Sequence, residues 1–157
     1  MKNGDPHGPF KNFHENGRLK TQGTIIDSEL DGRWEEYYAT GYLKTMRTYT
    51  AGEDEGPYAE FYENGKPKTK GIITDGSIDG WAWEYFENGQ LQVKQRYKHG
   101  QLDGPHEEYY ENGHRKLRGT YLDGERADVW EEYYENGQLK KKSTYDRSIP
   151  IPPLDSP

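Results

Sequence analysis

The 157-residue chain is 31% charged and only 30% hydrophobic, a balance that borders on disorder, but 14% of it is aromatic, with fourteen Tyr and four Trp supplying apolar area that a disordered tail would lack. Its formal charge of −7 argues against nucleic acid as a principal partner, since phosphate neutralisation needs a concentrated basic surface, and favours a basic protein, whose encounter an acidic surface steers. The absence of cysteine excludes disulfides and thiolate metal sites, and no stretch is long and apolar enough for a transmembrane span.

Met1-Lys2-Asn3-Gly4-Asp5 does not begin a signal peptide, so as a natural start it places the protein in the cytoplasm. Residues 2–8 instead match residues 98–104 at a distance of 96, so the chain opens at the tail of a unit. A ruler then runs through it. Glu15-Asn16-Gly17, Glu63-Asn64-Gly65, Glu87-Asn88-Gly89, Glu111-Asn112-Gly113 and Glu135-Asn136-Gly137 recur, with Ala39-Thr40-Gly41 in the one gap, and the closing glycines stand 24 residues apart. A second series, Gly8, Gly32, Gly56, Gly80 and Gly104, keeps the same step and then meets Asp128. A fixed period of this size means stacked supersecondary units, each unable to bury its own apolar face alone.

The fourth unit serves as the pattern for all six. Trp81-Ala82-Trp83-Glu84-Tyr85-Phe86-Glu87 is short and aromatic and reads as a strand. Asn88-Gly89 supplies the two positive φ angles of a type I′ turn, Gln90 to Lys98 returns as the second strand, and His99 to Gly104 turns the chain into the next unit. The resulting fold class is all-β: an elongated, single-layer antiparallel meander of 24-residue hairpins. With Asn-Gly at the tip, Phe86 falls opposite Leu91, Glu84 opposite Val93 and Ala82 opposite Gln95, on one face. In the last unit that face holds Trp130, Glu132, Tyr134, Leu139, Lys141 and Ser143, and the other holds Glu131, Tyr133, Glu135, Gln138, Lys140 and Lys142.

A slower rhythm of 48 overlies the 24, because Gly23, Gly71 and Gly119 alternate with Arg47, Gln95 and Ser143. In odd units the glycine sits opposite Phe10, Tyr58 and His106, which leaves room for a ring to lie across the neighbouring strand. The array occupies residues 1–147. The Pro-rich residues 148–157 read as an extended strap or tail that blunts the last strand.

Glu36, Glu60, Glu84, Glu108 and Glu132 share one offset and form a row on the aromatic face. Each either pairs with a nearby Lys, Arg or Tyr hydroxyl, or contributes to a carboxylate strip facing a basic partner. Trp34, Trp83, Tyr85 and Trp130 are the candidate aromatic anchors; with Glu60, Glu84 and Glu108 they make up the expected partner-binding set. The five histidines fall at different offsets without ligand spacing, the Asp-Gly turns lack the acidic density of a calcium loop, and no catalytic motif occurs. The reading is a non-enzyme without cofactor or metal.

The motif Gly-x-Trp/Tyr-x-Glu-Tyr-Tyr-Glu-Asn-Gly-Gln-Leu-Lys, followed by Tyr-x-x-Gly-x-x-Asp-Gly, resembles the MORN repeat in its bacterial variant form and looks most like the YwqK-type antitoxin family. The resemblance covers residues 1 to about 147. It implies a sheet of hairpins and a protein that neutralises a cognate toxin, of nuclease or deaminase type, by binding it. It also implies a rival, a scaffold or dimerisation module or a lipid-associated one, for which Lys66, Lys68 and Lys70 and Lys140, Lys141 and Lys142 give local basic clusters. Against membrane contact stands the overall charge, which anionic lipid repels.

Overall fold

The computed structural model describes residues 7–146; the proline-rich strap expected at 148–157 lies outside them. Every regular element among the described residues is a strand: β1 Gly8–Phe13, β2 Leu19–Ile26, β3 Glu29–Tyr37, β4 Leu43–Thr50, β5 Glu53–Asp54, β6 Gly56–Phe61, β7 Pro67–Thr74, β8 Ser77–Ile78, β9 Gly80–Tyr85, β10 Leu91–Lys98, β11 Gln101–Tyr109, β12 Arg115–Leu122, β13 Glu125–Tyr133 and β14 Leu139–Tyr145. They form one antiparallel sheet in sequence order, with the two-residue β5 and β8 pairing β4 and β7. At roughly 4.8 Å per strand, the twelve strands of the main path extend over about 50 Å. The strands are short, aromatic and β-branched, which suits a pleated, half-buried surface.

The turns differ from the sequence expectation. At each Glu-Asn-Gly tip only the glycine adopts a positive φ, 91° at Gly89, while Asn88 does not. Phe86 N–H donates to the Gln90 carbonyl and Gly89 N–H to the Phe86 carbonyl, each at 2.8 Å. This is a three-residue loop, an ordinary turn closed by a left-handed glycine, and not type I′. The asparagine side chain then braces the loop from inside, since Asn64 Oδ1 accepts from Lys66 N–H at 2.9 Å and Asn88 Oδ1 from Gln90 N–H at 2.8 Å.

Paired positive φ angles occur instead at the opposite end of the strands, at Asp27-Ser28, Ala51-Gly52, Asp75-Gly76, His99-Gly100 and Asp123-Gly124. The expected six-residue link 99–104 is therefore a two-residue turn followed directly by β11, with Tyr97 paired to Leu102 and Lys98 to Gln101. The extra residues are absorbed at Gly104, φ 119°, where the register shifts between Gln95 and Tyr97. Its counterpart Asp128 takes φ 55°, a conformation Asp tolerates better than most side chains.

The three-residue tips also correct the facing pairs. Glu84 lies opposite Val93 and Ala82 opposite Gln95 as expected, but Leu91 pairs with Tyr85, not Phe86, and a bulge separates it from Val93. Beyond the bulge the usual alternation is broken.

The glycine rhythm marks the packing centres. Phe10, Tyr58 and His106 pair with Gly23, Gly71 and Gly119. The ring seated on the first and last glycine comes from the following hairpin: a Cβ on Gly23 would stand 2.1 Å from Trp34, and one on Gly119 2.2 Å from Trp130. Trp34 stacks on Phe10 with centroids 5.5 Å apart. Trp130 is only 2% exposed, lies 5.7 Å from His106 and meets Tyr121 edge-on at 4.9 Å. At the middle glycine, Gly71, the next hairpin offers Ala82, and Tyr58 covers the gap itself.

Candidate functional site

Alternation along strands and register across them place the side chains on two faces. On the first, a continuous row runs Thr21, Glu36, Thr45, Glu60, Thr69, Glu84, Val93, Glu108, Leu117, Glu132 and Lys141. The glutamates are not stacked directly, because a Thr, Val or Leu stands between neighbours. About 9.6 Å of backbone separates them, so their repulsion in water is only about 0.4 kcal/mol per pair.

Three members are neutralised. Lys68 Nζ lies 3.6 Å from Glu60, Lys116 Nζ 2.9 Å from Glu108 and Lys140 Nζ 3.6 Å from Glu132. Sequence alternation put Lys140 on the opposite face; the bulge beside Leu139 brings it to Glu132. Glu108 is the most firmly held, since His106 Nε2 at 3.2 Å and Lys116 lower its pKa to about 2 against the opposing effect of burial. The signal lay in the sequence: Lys44, Lys68, Lys116 and Lys140 each follow a row glutamate by eight residues, whereas Glu84 is followed by Gln92. Lys44 turns its Nζ toward the Tyr38 ring at 5.9 Å. Among the described residues, Glu36 and Glu84 thus form no ion pair.

The second face carries the row Lys11, Gln22, Glu35, Met46, Ala59, Lys70, Trp83, Lys94, Glu107, Arg118, Glu131 and Lys142. Its carboxylates are engaged. Burial raises the Glu35 pKa, but hydrogen bonds from Tyr37 and Gln22, with Arg33 at 2.5 Å, outweigh it and hold the group below the usual range. Glu131 accepts from Arg118 Nε at 2.5 Å and Tyr133 at 2.6 Å, which lowers its pKa to about 2.

The expected binding set is therefore split. Trp34, Glu60, Glu84, Glu108 and Trp130 belong to the first face, Trp83 and Tyr85 to the second. Trp130 is buried under its neighbours and Trp34 is committed to Gly23 and Phe10, whereas Trp83, Glu84 and Tyr85 are half-buried on one strand, β9.

Sequence reasoning missed a set of staples between units. Tyr38, Tyr62 and Tyr110 hydroxyls donate to the carbonyls of Phe61, Tyr85 and Tyr133, one unit on, at 2.9, 2.7 and 2.9 Å. Asn16, Asn64, Asn88 and Asn112 side-chain amides donate to Ala39, Glu87, Glu111 and Glu135 carbonyls in the same way. The repeat spacing was the available signal, but it does not say that a tip residue reaches the next tip.

One family model, that of the MORN repeat variant, matches residues 6–27, 30–51, 54–72, 84–99, 102–123 and 129–147. The longest interval between matches is 73–83, which contains Trp81 and Trp83. No curated protein matches the chain.

Proposed function

We propose a function from one premise: the chain belongs to the MORN repeat variant family, whose segments match most of its length and make it a repeat-based binding module. On this reading it is a non-enzymatic, YwqK-like antitoxin or immunity protein that acts in the cytoplasm and neutralises a cognate basic toxin, of nuclease or deaminase type, by covering its active surface. The observation that carries the reading is Glu84. It is the centre of a five-carboxylate row and its own hairpin supplies no lysine to neutralise it. A basic partner would meet it without first breaking an ion pair, and the two unneutralised carboxylates of the row, Glu36 and Glu84, favour both its encounter and its selection.

The test is capture of the full chain's partner from native lysate, followed by a salt wash and mass spectrometry, with Glu36→Lys/Glu84→Lys run in parallel. A stoichiometric basic nuclease or deaminase domain, inhibited by the wild-type protein and bound at least tenfold more weakly by the variant, is the expected result. Recovery of only the protein itself, or of envelope components, would favour the scaffold or dimerisation role.

A further inference from the structure

The second face changes character at its centre. In hairpins two, five and six the same position is glutamate, Glu35, Glu107 and Glu131, and each carboxylate binds its own cations or tyrosines, Glu107 taking the Tyr109 hydroxyl and Arg115. In the fourth hairpin the position is Trp83, and lysines pair with it from both sides, Lys70 from β7 and Lys94 from β10. Replacing the expected glutamate by tryptophan leaves both cations without an ion pair among the described residues. Lys70 Nζ stands over Trp83 at 5.1 Å and over Tyr85 at 5.4 Å; Lys94 Nζ lies 4.4 Å from the Trp81 ring, turned from Glu107 across the ladder. Trp81 and Trp83 are 6.4 Å apart, and Ile72, 47% exposed, extends the apolar surface. The stretch 73–83 that creates this patch also falls outside the family model's matched segments.

We propose that Lys70, Trp81, Trp83, Tyr85 and Lys94 form a binding platform for an extended acidic protein segment, one with two carboxylates flanking an apolar or aromatic side chain. The rings hold the ammonium groups by cation–π attraction, and since neither has a hydrogen-bond partner among the described residues, their N–H donors are available to an acceptor. The two lysine backbones flank Trp83 across about 9.6 Å, and on an extended chain residues i, i+2 and i+4 share one face over about 13 Å, a difference that the long side chains of lysine and of Asp or Glu can span. Two carboxylates can therefore reach the two ammonium groups while the side chain between them lies on the tryptophans. Beyond Lys94 the row alternates in sign, through Glu107, Arg118, Glu131 and Lys142, and beyond Lys70 it continues into the uncharged Ala59 and Met46, so the uninterrupted cationic track that a long phosphate backbone needs is absent from this row. The site is on the opposite face from Glu84, so the two surfaces would serve two partners of opposite charge.

Panning a displayed library of random peptides, about 12 residues long, on the immobilised full chain at physiological ionic strength tests this. Enriched peptides are expected to carry paired Asp or Glu around an apolar residue. Their affinity should fall by about tenfold or more, as loss of charge-assisted contacts would give, in Lys70→Glu/Lys94→Glu and again in Trp83→Glu, which places between the two lysines the glutamate that hairpins two, five and six carry there. Both variants should keep the wild-type circular dichroism and a cooperative urea transition, with the chain fully folded under the binding conditions. No enrichment, enrichment of acid-poor peptides, or affinities unmoved by both substitutions would overturn the proposal. So would binding of oligothymidylate or phosphatidylserine vesicles through Lys70 and Lys94 without binding of acidic peptides. Toxin binding through Glu84 should be unaffected by these variants, so either surface can fail independently of the other.

Discussion

The fourth and sixth hairpins are built on the same register and place their tryptophan differently. In the sixth, Trp130 turns to the first face, lies on Gly119 and disappears among His106, Tyr121 and Tyr145. In the fourth, the equivalent residue is Ala82, and tryptophans stand one position before and after it, on the second face. Moving an aromatic by one residue along a strand moves it through the sheet. The difference separates an aromatic that holds units together from aromatics that remain half-exposed beside unneutralised lysines, and it singles out the fourth hairpin, which also carries the unpaired Glu84, as the part of the array specialised for contact.

The largest test of this contrast is truncation. Trp130→Ala should cost about 3–5 kcal/mol, the usual penalty for emptying a buried aromatic site, whereas Trp83→Ala should cost less than about 1 kcal/mol, both from urea unfolding midpoints. Equal losses would remove the distinction between core and contact tryptophans. The glycines beneath the rings sharpen it. Gly119→Ala drives a Cβ to within 2.2–2.7 Å of three Trp130 ring atoms, and should destabilise by about 1–3 kcal/mol. Gly71→Ala meets only the far edge of the Tyr58 ring, from 2.7 Å, and that ring can swing; its cost should be under about 1 kcal/mol.

Acid should loosen the contacts of the fifth hairpin, where Glu108 is held by Lys116 and His106. Glu108 is lowered from an ordinary 4.5 to about 2, so its stabilising contribution is complete above pH 4.5 and is lost as pH falls toward 2. After screening, it amounts to about 1–2 kcal/mol. Glu108→Gln should flatten the stability profile in that window, whereas at neutral pH Glu84→Gln, which breaks no ion pair, should leave the urea midpoint within about 0.5 kcal/mol of wild type.

The smallest effect concerns the hydroxyl staples. Tyr62 donates to the Tyr85 carbonyl, but the next residue in the series is Phe86, which has no hydroxyl for the following hairpin. Tyr62→Phe should lose about 1 kcal/mol and Phe86→Tyr should gain up to about 1 kcal/mol. A Phe86→Tyr variant of unchanged midpoint would show that the fourth and fifth hairpins are not spaced like their neighbours.

The sequence alone determined the period, the strands, the meander order and the pairing of Gly23, Gly71 and Gly119 with Phe10, Tyr58 and His106, because periodic spacing and alternation act locally. It also placed the glutamates in one row. Tertiary structure decided which turn was which: Asn tolerates both signs of φ, so Asn-Gly was compatible with a two-residue turn, and only the hydrogen bonds at Phe86 and Gln90 establish the three-residue loop. That one residue has consequences, since a strand's side chains alternate with a period of two and the added bulge carries Lys68, Lys116 and Lys140 to the glutamate face. Packing across units likewise decided that Trp130 is core while Trp83 remains at the surface. Their ring chemistry is identical, and only the strand register determines which face each reaches and what lies beneath it.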